Sequence, residues 1–218
     1  MKSAVAKPSP PTPSPRWKGD ASPPPGPTDI ESTLMPPDLP AEAVSANTNP
    51  FTAVEVEAIL RERGWLGTPF ESDSGMKGWL ARAAELLGPH AADRASLEEL
   101  LSLIFHYDAT ALLKQRVSQT VLARSGAREV IRELASRVLE GGDVDSDRFK
   151  EIIDSMKMAV PYRSRALFHP IRLALAGRAG EGELDRVILL LDEAARLDFA
   201  ALVKNVRQRM LDFCAALD

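Results

Sequence analysis

From Phe51 onward the apolar residues recur every three or four positions, the spacing of one face of an α-helix. Val56, Ile59 and Leu60 predict a first helix over residues 53–63, with Gly64 as its stop. Met76, Trp79, Leu80, Ala83, Leu86 and Leu87 predict a second over residues 75–87, ended by Gly88-Pro89. Ser96, with Glu99 three positions later, reads as a capping box that opens a helix carrying Leu97, Leu100, Leu101, Ile104 and Phe105. Leu112, Leu113, Val117, Val121 and Leu122 follow as one face, broken at Gly126; Val130, Ile131, Leu134, Val138 and Leu139 continue it as far as Gly141-Gly142. Asp145 or Ser146 suits the cap of a helix over residues 148–158. Because proline fits a first helical turn, the next helix is expected to begin near Pro170 and to end at Gly177. Segments 183–197 and 199–217 complete the series. No run alternates with period two, and no Asn-Gly or Asp-Gly hairpin signal is present. The fold class expected is all-α, a compact bundle of roughly eight or nine short helices around one core.

Composition adds a boundary. Of 17 prolines, 13 lie in the first 50 residues. Each removes a backbone donor and biases its predecessor toward extended backbone, and the segment has little apolar surface to offset ordering. Residues 1–50 are therefore expected to be a disordered proline-rich tail, and residues 51–218 a helical domain. The tail contains PxxP spacings (Pro8 to Pro11, Pro10 to Pro13), a means of engaging a protein partner, although a solubilising spacer has the same composition.

Charge and chemistry narrow the function. With 27 Lys+Arg against 31 Asp+Glu the net charge is −4, which excludes a polybasic protein of the histone kind but not a local basic patch. Cys214 is the single cysteine, so no intrachain disulfide forms. His90, His106 and His169 lack metal-ligand spacing. Asp143, Asp145 and Asp147 have the spacing that begins a calcium loop, without its glycine and distal glutamate; a solvated loop and helix cap is the reading. No cofactor or metal is expected. No apolar run approaches the ~18–20 residues of a membrane span, and no signal-peptide core is present. The reading is a soluble, cytoplasmic protein that does not engage membrane.

One segment is more specific. Ala166-Leu167-Phe168-His169-Pro170-Ile171-Arg172-Leu173-Ala174-Leu175-Ala176-Gly177-Arg178 closely resembles a signature of the C-terminal anticodon-binding domain of bacterial glutamyl-tRNA synthetases. Upstream, Ala92-Asp93-Arg94-Ala95-Ser96-Leu97-Glu98-Glu99-Leu100 is similar to a second family segment. The resemblance covers about residues 52–217 and implies a helical anticodon-binding fold, agreeing with the periodicity. It departs at Ala176, where the family has Thr, and at Glu183, where it has Pro. The catalytic HIGH and KMSKS motifs and any glycine-rich phosphate loop are absent from the sequence, so activity as a ligase is not carried over.

Residues 157–178 hold Lys157, Arg163, Arg165, Arg172 and Arg178 with no acidic residue, a charge of +5 in 22 residues, interleaved with Tyr162 and Phe168. Cations neutralise phosphates and aromatics stack on unpaired bases. Lys157, Tyr162, Arg163, Arg165, Arg172 and Arg178 are the candidate tRNA contacts, and the resemblance adds Arg94. Arg172 has an equal alternative as an internal ion pair, and His169 is read as packed or capping. Two functions follow. One is a stand-alone tRNA-binding module without catalysis, acting alone or with a separate synthetase or tRNA-modifying partner. The other is a helical protein-interaction adaptor that has lost RNA binding. A split synthetase subunit is a third.

Overall fold

The computed structural model describes residues 49–67 and 74–217. The proline-rich segment expected to be disordered lies outside the described residues, apart from its last two. Ten α-helices and no strand are present among the described residues, so the fold is all-α. They are α1 (Ala53–Glu62), α2 (Ser74–Leu87), α3 (Arg94–Phe105), α4 (Ala109–Lys114), α5 (Arg116–Leu122), α6 (Ala127–Glu140), α7 (Ser146–Ala159), α8 (Ser164–Ala176), α9 (Glu183–Ala194) and α10 (Val206–Leu217). None is long and apolar enough to cross a membrane.

The centre is the hairpin α8–α9. In α9, Leu184 and every residue from Val187 to Leu191 are buried, and only the side carrying Asp185, Arg186 and Glu193 reaches solvent. A helix apolar over most of its circumference belongs inside a bundle. Accordingly α9 packs against α2, α3, α8 and α10, while α8 also contacts α5, α6 and α10. An aromatic cluster closes one end: Trp65 stacks on Phe105 at 4.7 Å between centroids, and Phe199 meets Trp79 at 5.0 Å and Phe105 at 5.1 Å. The indole N–H of the fully buried Trp79 donates to the carbonyl of Leu190 at 3.2 Å, so the core tryptophan keeps its polar atom satisfied.

Several boundaries differ from the sequence reading, each for a physical reason. α3 begins at Arg94, not at Ser96. Asp93 is the cap, its carboxylate accepting from the Ser96 amide at 2.7 Å and from the Ser96 hydroxyl at 2.6 Å. That leaves Glu99 free for another partner. Gln115 is extended between α4 and α5, and the rotation it introduces turns Ser118 inward and leaves Val117 61% exposed. α8 starts at Ser164 and continues through Pro170, whose buried ring sits beside Leu167 and Ile171. Core burial there outweighs the roughly 3 kcal/mol an interior proline costs a helix. The final helix starts at Val206 rather than Phe199. Segment 199–205 is irregular because Phe199 enters the aromatic cluster and the Ala200 amide donates to Trp65. A reciprocal pair then opens α10, Asn205 N–H to Gln208 Oε1 and Gln208 N–H to Asn205 Oδ1. Asp145, as expected, caps α7.

Candidate nucleic-acid interface

The sequence-predicted cations meet carboxylates that their own segment does not contain. Lys157 pairs with Asp154 at 2.9 Å, Arg165 with Glu181 at 2.9 Å, Arg94 with Glu62 at 2.7 Å, and Arg178 with Glu99. All four pairs are at least partly open to solvent. Exposed pairs of this kind contribute about 0–1 kcal/mol, so a phosphate can replace the carboxylate at small cost. Arg165 lies in the first turn of α8, Arg178 in the loop between α8 and α9, and Arg94 is the first residue of α3.

Arg172 is turned inward. Its side chain is 9% exposed, forms a two-point bond with Asp185 at 2.7 Å on each arm, and donates to the Gly180 carbonyl at 2.8 Å. Phe168 lies beneath it, 4.9 Å from guanidinium to ring centroid. It fixes the α8–α9 loop and is consumed in doing so. Of the two roles open from sequence, the geometry is that of the internal ion pair.

Arg163 has an exposed position but donates to the carbonyls of Lys157, Val160 and Tyr162 at 2.6–2.7 Å. It thereby satisfies the orphan carbonyls at the end of α7, where cations suit the helix dipole. Ser164 follows at φ 49, so the chain turns sharply into α8. Tyr162 donates to Glu129 at 2.9 Å, which raises the phenol pKa. The Tyr162 ring covers Gly126, the left-handed residue (φ +83) that opens α6. A Cβ at Gly126 would lie 2.0 Å from the ring. Gly126→Ala is therefore expected to lose about 1–2 kcal/mol from backbone conformation alone, and more from the clash. Thermal melts check this: adding Tyr162→Ala to Gly126→Ala should recover the clash component and not the backbone one.

That contact carries the α7–α8 turn onto a stretch the sequence reading passed over. Residues 114–128 contain Lys114, Arg116, Arg124 and Arg128 and no acidic residue. All four are exposed. Lys114, Arg116, Arg128 and the following Arg132 make no ion pair among the described residues; on α6 the exposed Glu129 lies beside Arg128 and one turn before Arg132. Arg124 approaches Nδ1 of His169 at 3.4 Å. His169 Nε2 is buried without a partner, and burial, then Arg124, lowers the imidazole pKa. The same count that marked residues 157–178 would have found residues 114–128. The contacts of Tyr162 with Gly126 and of Arg124 with His169 bring the α7–α8 turn and α8 beside the turn into α6, where Glu129 and Glu181 hold Tyr162 and Arg165.

Beside α5 is an open groove of about 460 Å³. Leu113, Leu122 and Leu217 form its apolar part, with Gln119 and Arg128 at the edge. A second depression of about 320 Å³ lies over Phe149 with His90, Lys150 and Arg186 around it.

Comparison with known proteins bears on this geometry. No protein-family model matches the chain, and no solved structure matches it. Two curated relatives do. Glutamate--tRNA ligase 2 of Syntrophus aciditrophicus is 27% identical over 121 residues, 53% of this chain and 23% of that protein. The glutamate--tRNA ligase of Bacillus licheniformis is 27% identical over 113 residues, 52% of this chain and 23% of that protein. About half of this chain is therefore similar to glutamate--tRNA ligases, and the matched part spans about a quarter of their length.

Proposed function

We propose that this chain is a tRNA-binding module, related to the anticodon-binding part of glutamyl-tRNA synthetases, that holds RNA without catalysing aminoacylation. It serves a separate synthetase or tRNA-modifying enzyme in the cytoplasm. The observation that carries the reading is the acid-free stretch from Lys114 to Arg128, whose cations make no ion pair among the described residues and which meets the α7–α8 turn through Gly126 and Tyr162. A net-acidic chain that keeps an exposed stretch free of acidic residues has a local surface suited to a polyanion. Arg116, Arg124, Arg128 and Lys114 supply the primary phosphate contacts. Arg163 and Arg165 border them with Tyr162, and the exposed pairs at Lys157, Arg94 and Arg178 can exchange carboxylate for phosphate.

The adaptor reading has its own support. Arg94, Lys157, Arg165 and Arg178 each meet a carboxylate, giving much of the surface a mixed-sign character suited to a protein partner. One experiment separates the two. Gel shifts of total bacterial tRNA across a salt series compare the wild type with Arg124→Gln plus Arg128→Gln and with Arg163→Ala plus Arg165→Ala. Wild-type affinity should fall steeply with salt, and each lost phosphate contact should reduce the log–log slope by about 0.7–0.9. No salt-dependent shift for the wild type, or equal slopes for all three proteins, would leave the adaptor.

A further inference from the structure

We propose that the depression over Phe149 is a docking site for a short acidic peptide segment of a protein partner, one that carries a large apolar side chain between its carboxylates. The inference does not rest on the RNA reading. It gives the chain a second surface, for protein.

The depression lies among the first half of α7, the start of α9 and the single turn Gly88–His90 that follows α2. Its space of about 320 Å³ is at the small end of the range for ligand sites, room for one leucine- or phenylalanine-sized group. The lining is mainly apolar. Phe149 and Leu189 are its floor, and both belong to the core. Lys150, Arg186 and His90 stand exposed around them. Each has an apolar body and a polar tip, so the bodies extend the floor while the tips stay in water.

The charges around the floor indicate the partner. Neither Lys150 nor Arg186 makes an ion pair or hydrogen bond among the described residues. Lys150 has Asp154 one turn ahead on α7, but that carboxylate is held by Lys157 at 2.9 Å. Asp185 is the one acidic residue of the lining among the described residues, and Arg172 binds both its oxygens at 2.7 Å. Two cations on different helices thus border an apolar floor, and no carboxylate of the lining is left to match them. A ligand anionic on either side of an apolar group is complementary to that arrangement. A run of phosphates is less so. Asp147 and Glu183 directly follow the lining residues Ser146 and Gly182, and a continuous polyanion is repelled by such neighbours. A peptide carries its carboxylates only at chosen positions. So small a surface suits a weak, reversible contact.

The test is fluorescence anisotropy on the whole chain with three short labelled peptides. The first has a central leucine with two glutamates on each side, the second has glycine in place of the leucine, and the third has lysines in place of the glutamates. The first should bind about tenfold more tightly than the second, the effect of burying most of one leucine. Lys150→Glu plus Arg186→Glu should weaken the first about tenfold and strengthen the third, a gain that misfolding cannot produce. Binding of tRNA by that variant should match the wild type. No preference for leucine over glycine, or no reversal by the paired substitutions, overturns the proposal. Displacement of the peptide by tRNA, with weaker tRNA binding in the same variant, would make the depression nucleic-acid surface instead. A dimer that the peptide dissociates in sedimentation would put a second copy of this chain there. A wild type that binds the peptide but no tRNA loses the RNA reading and keeps this one.

Discussion

Replacing Arg209 with methionine is expected to destabilise the fold by about 3–5 kcal/mol, the range found when a buried charge network loses a member. Arg209 is fully buried and makes no ion pair with a carboxylate among the described residues. Its guanidinium donates to the carbonyls of Leu103 and Ile104 at 2.9 and 2.7 Å, of Leu175 at 2.9 Å, and of Lys204 at 3.1 Å. Three of these carbonyls belong to the last turns of α3 and α8, where the helix dipoles are negative. Two helix ends do the work of a carboxylate. The Tyr107 ring lies 4.6 Å from the guanidinium, and its hydroxyl donates to the Ala174 carbonyl; burial raises the Tyr107 pKa. Burial lowers the Arg209 pKa to about 10, so the side chain stays charged at neutral pH. Methionine fills much of the volume but strands the buried carbonyls of Ile104 and Leu175, each costing about 1–3 kcal/mol if left unmet. Urea unfolding measures the loss, with Arg209→Lys as an intermediate that keeps the charge but reaches fewer carbonyls. A loss under about 1 kcal/mol would mean that water replaces the guanidinium.

Asp192→Ala should be the second most damaging change, at about 2–5 kcal/mol for two stranded donors. Asp192 is 7% exposed and accepts from Val144 N–H and from Val206 N–H, the latter at 2.7 Å. One carboxylate thus ties the loop before α7, the middle of the bundle and the first residue of α10. Burial raises its pKa above 3.8, outweighing the two N–H bonds that lower it. A raised carboxyl pKa favours the fold below the unfolded value and loses that contribution as pH climbs through the folded one. The stability gap between wild type and Asp192→Asn should therefore shift in the wild type's favour as pH is lowered toward 3.8. Denaturation at several pH values reads both effects: Asp192→Ala within 1 kcal/mol of wild type at neutral pH would show the amides re-partnered.

The two changes share a lesson about where sequence reading stops. A charged residue within a helical pattern, such as Arg209 between Gln208 and Met210, looks like a solvated position until its neighbours in space are known. The same holds for Arg172, which shares an acid-free stretch with Arg165. One reaches Asp185 inside the bundle, the other Glu181 outside it. A charge count along the chain has no access to carboxylates 13 or 16 residues away.

What the sequence determined was the helical class, nearly every apolar face and the Asp145 cap of α7, because these follow from a 3.6-residue period and from groups within one turn. It also carried the likeness to glutamate--tRNA ligases. Tertiary structure decided the rest. The core accepted Pro170 inside α8, drew Phe199 out of a helix, and turned Ser118 inward in place of Val117. It also decided which cations stay unpaired, moving the candidate surface toward Arg116, Arg124 and Arg128. Burial and ion pairing are properties of distance in space, and only a folded chain brings the α7–α8 turn beside the turn into α6.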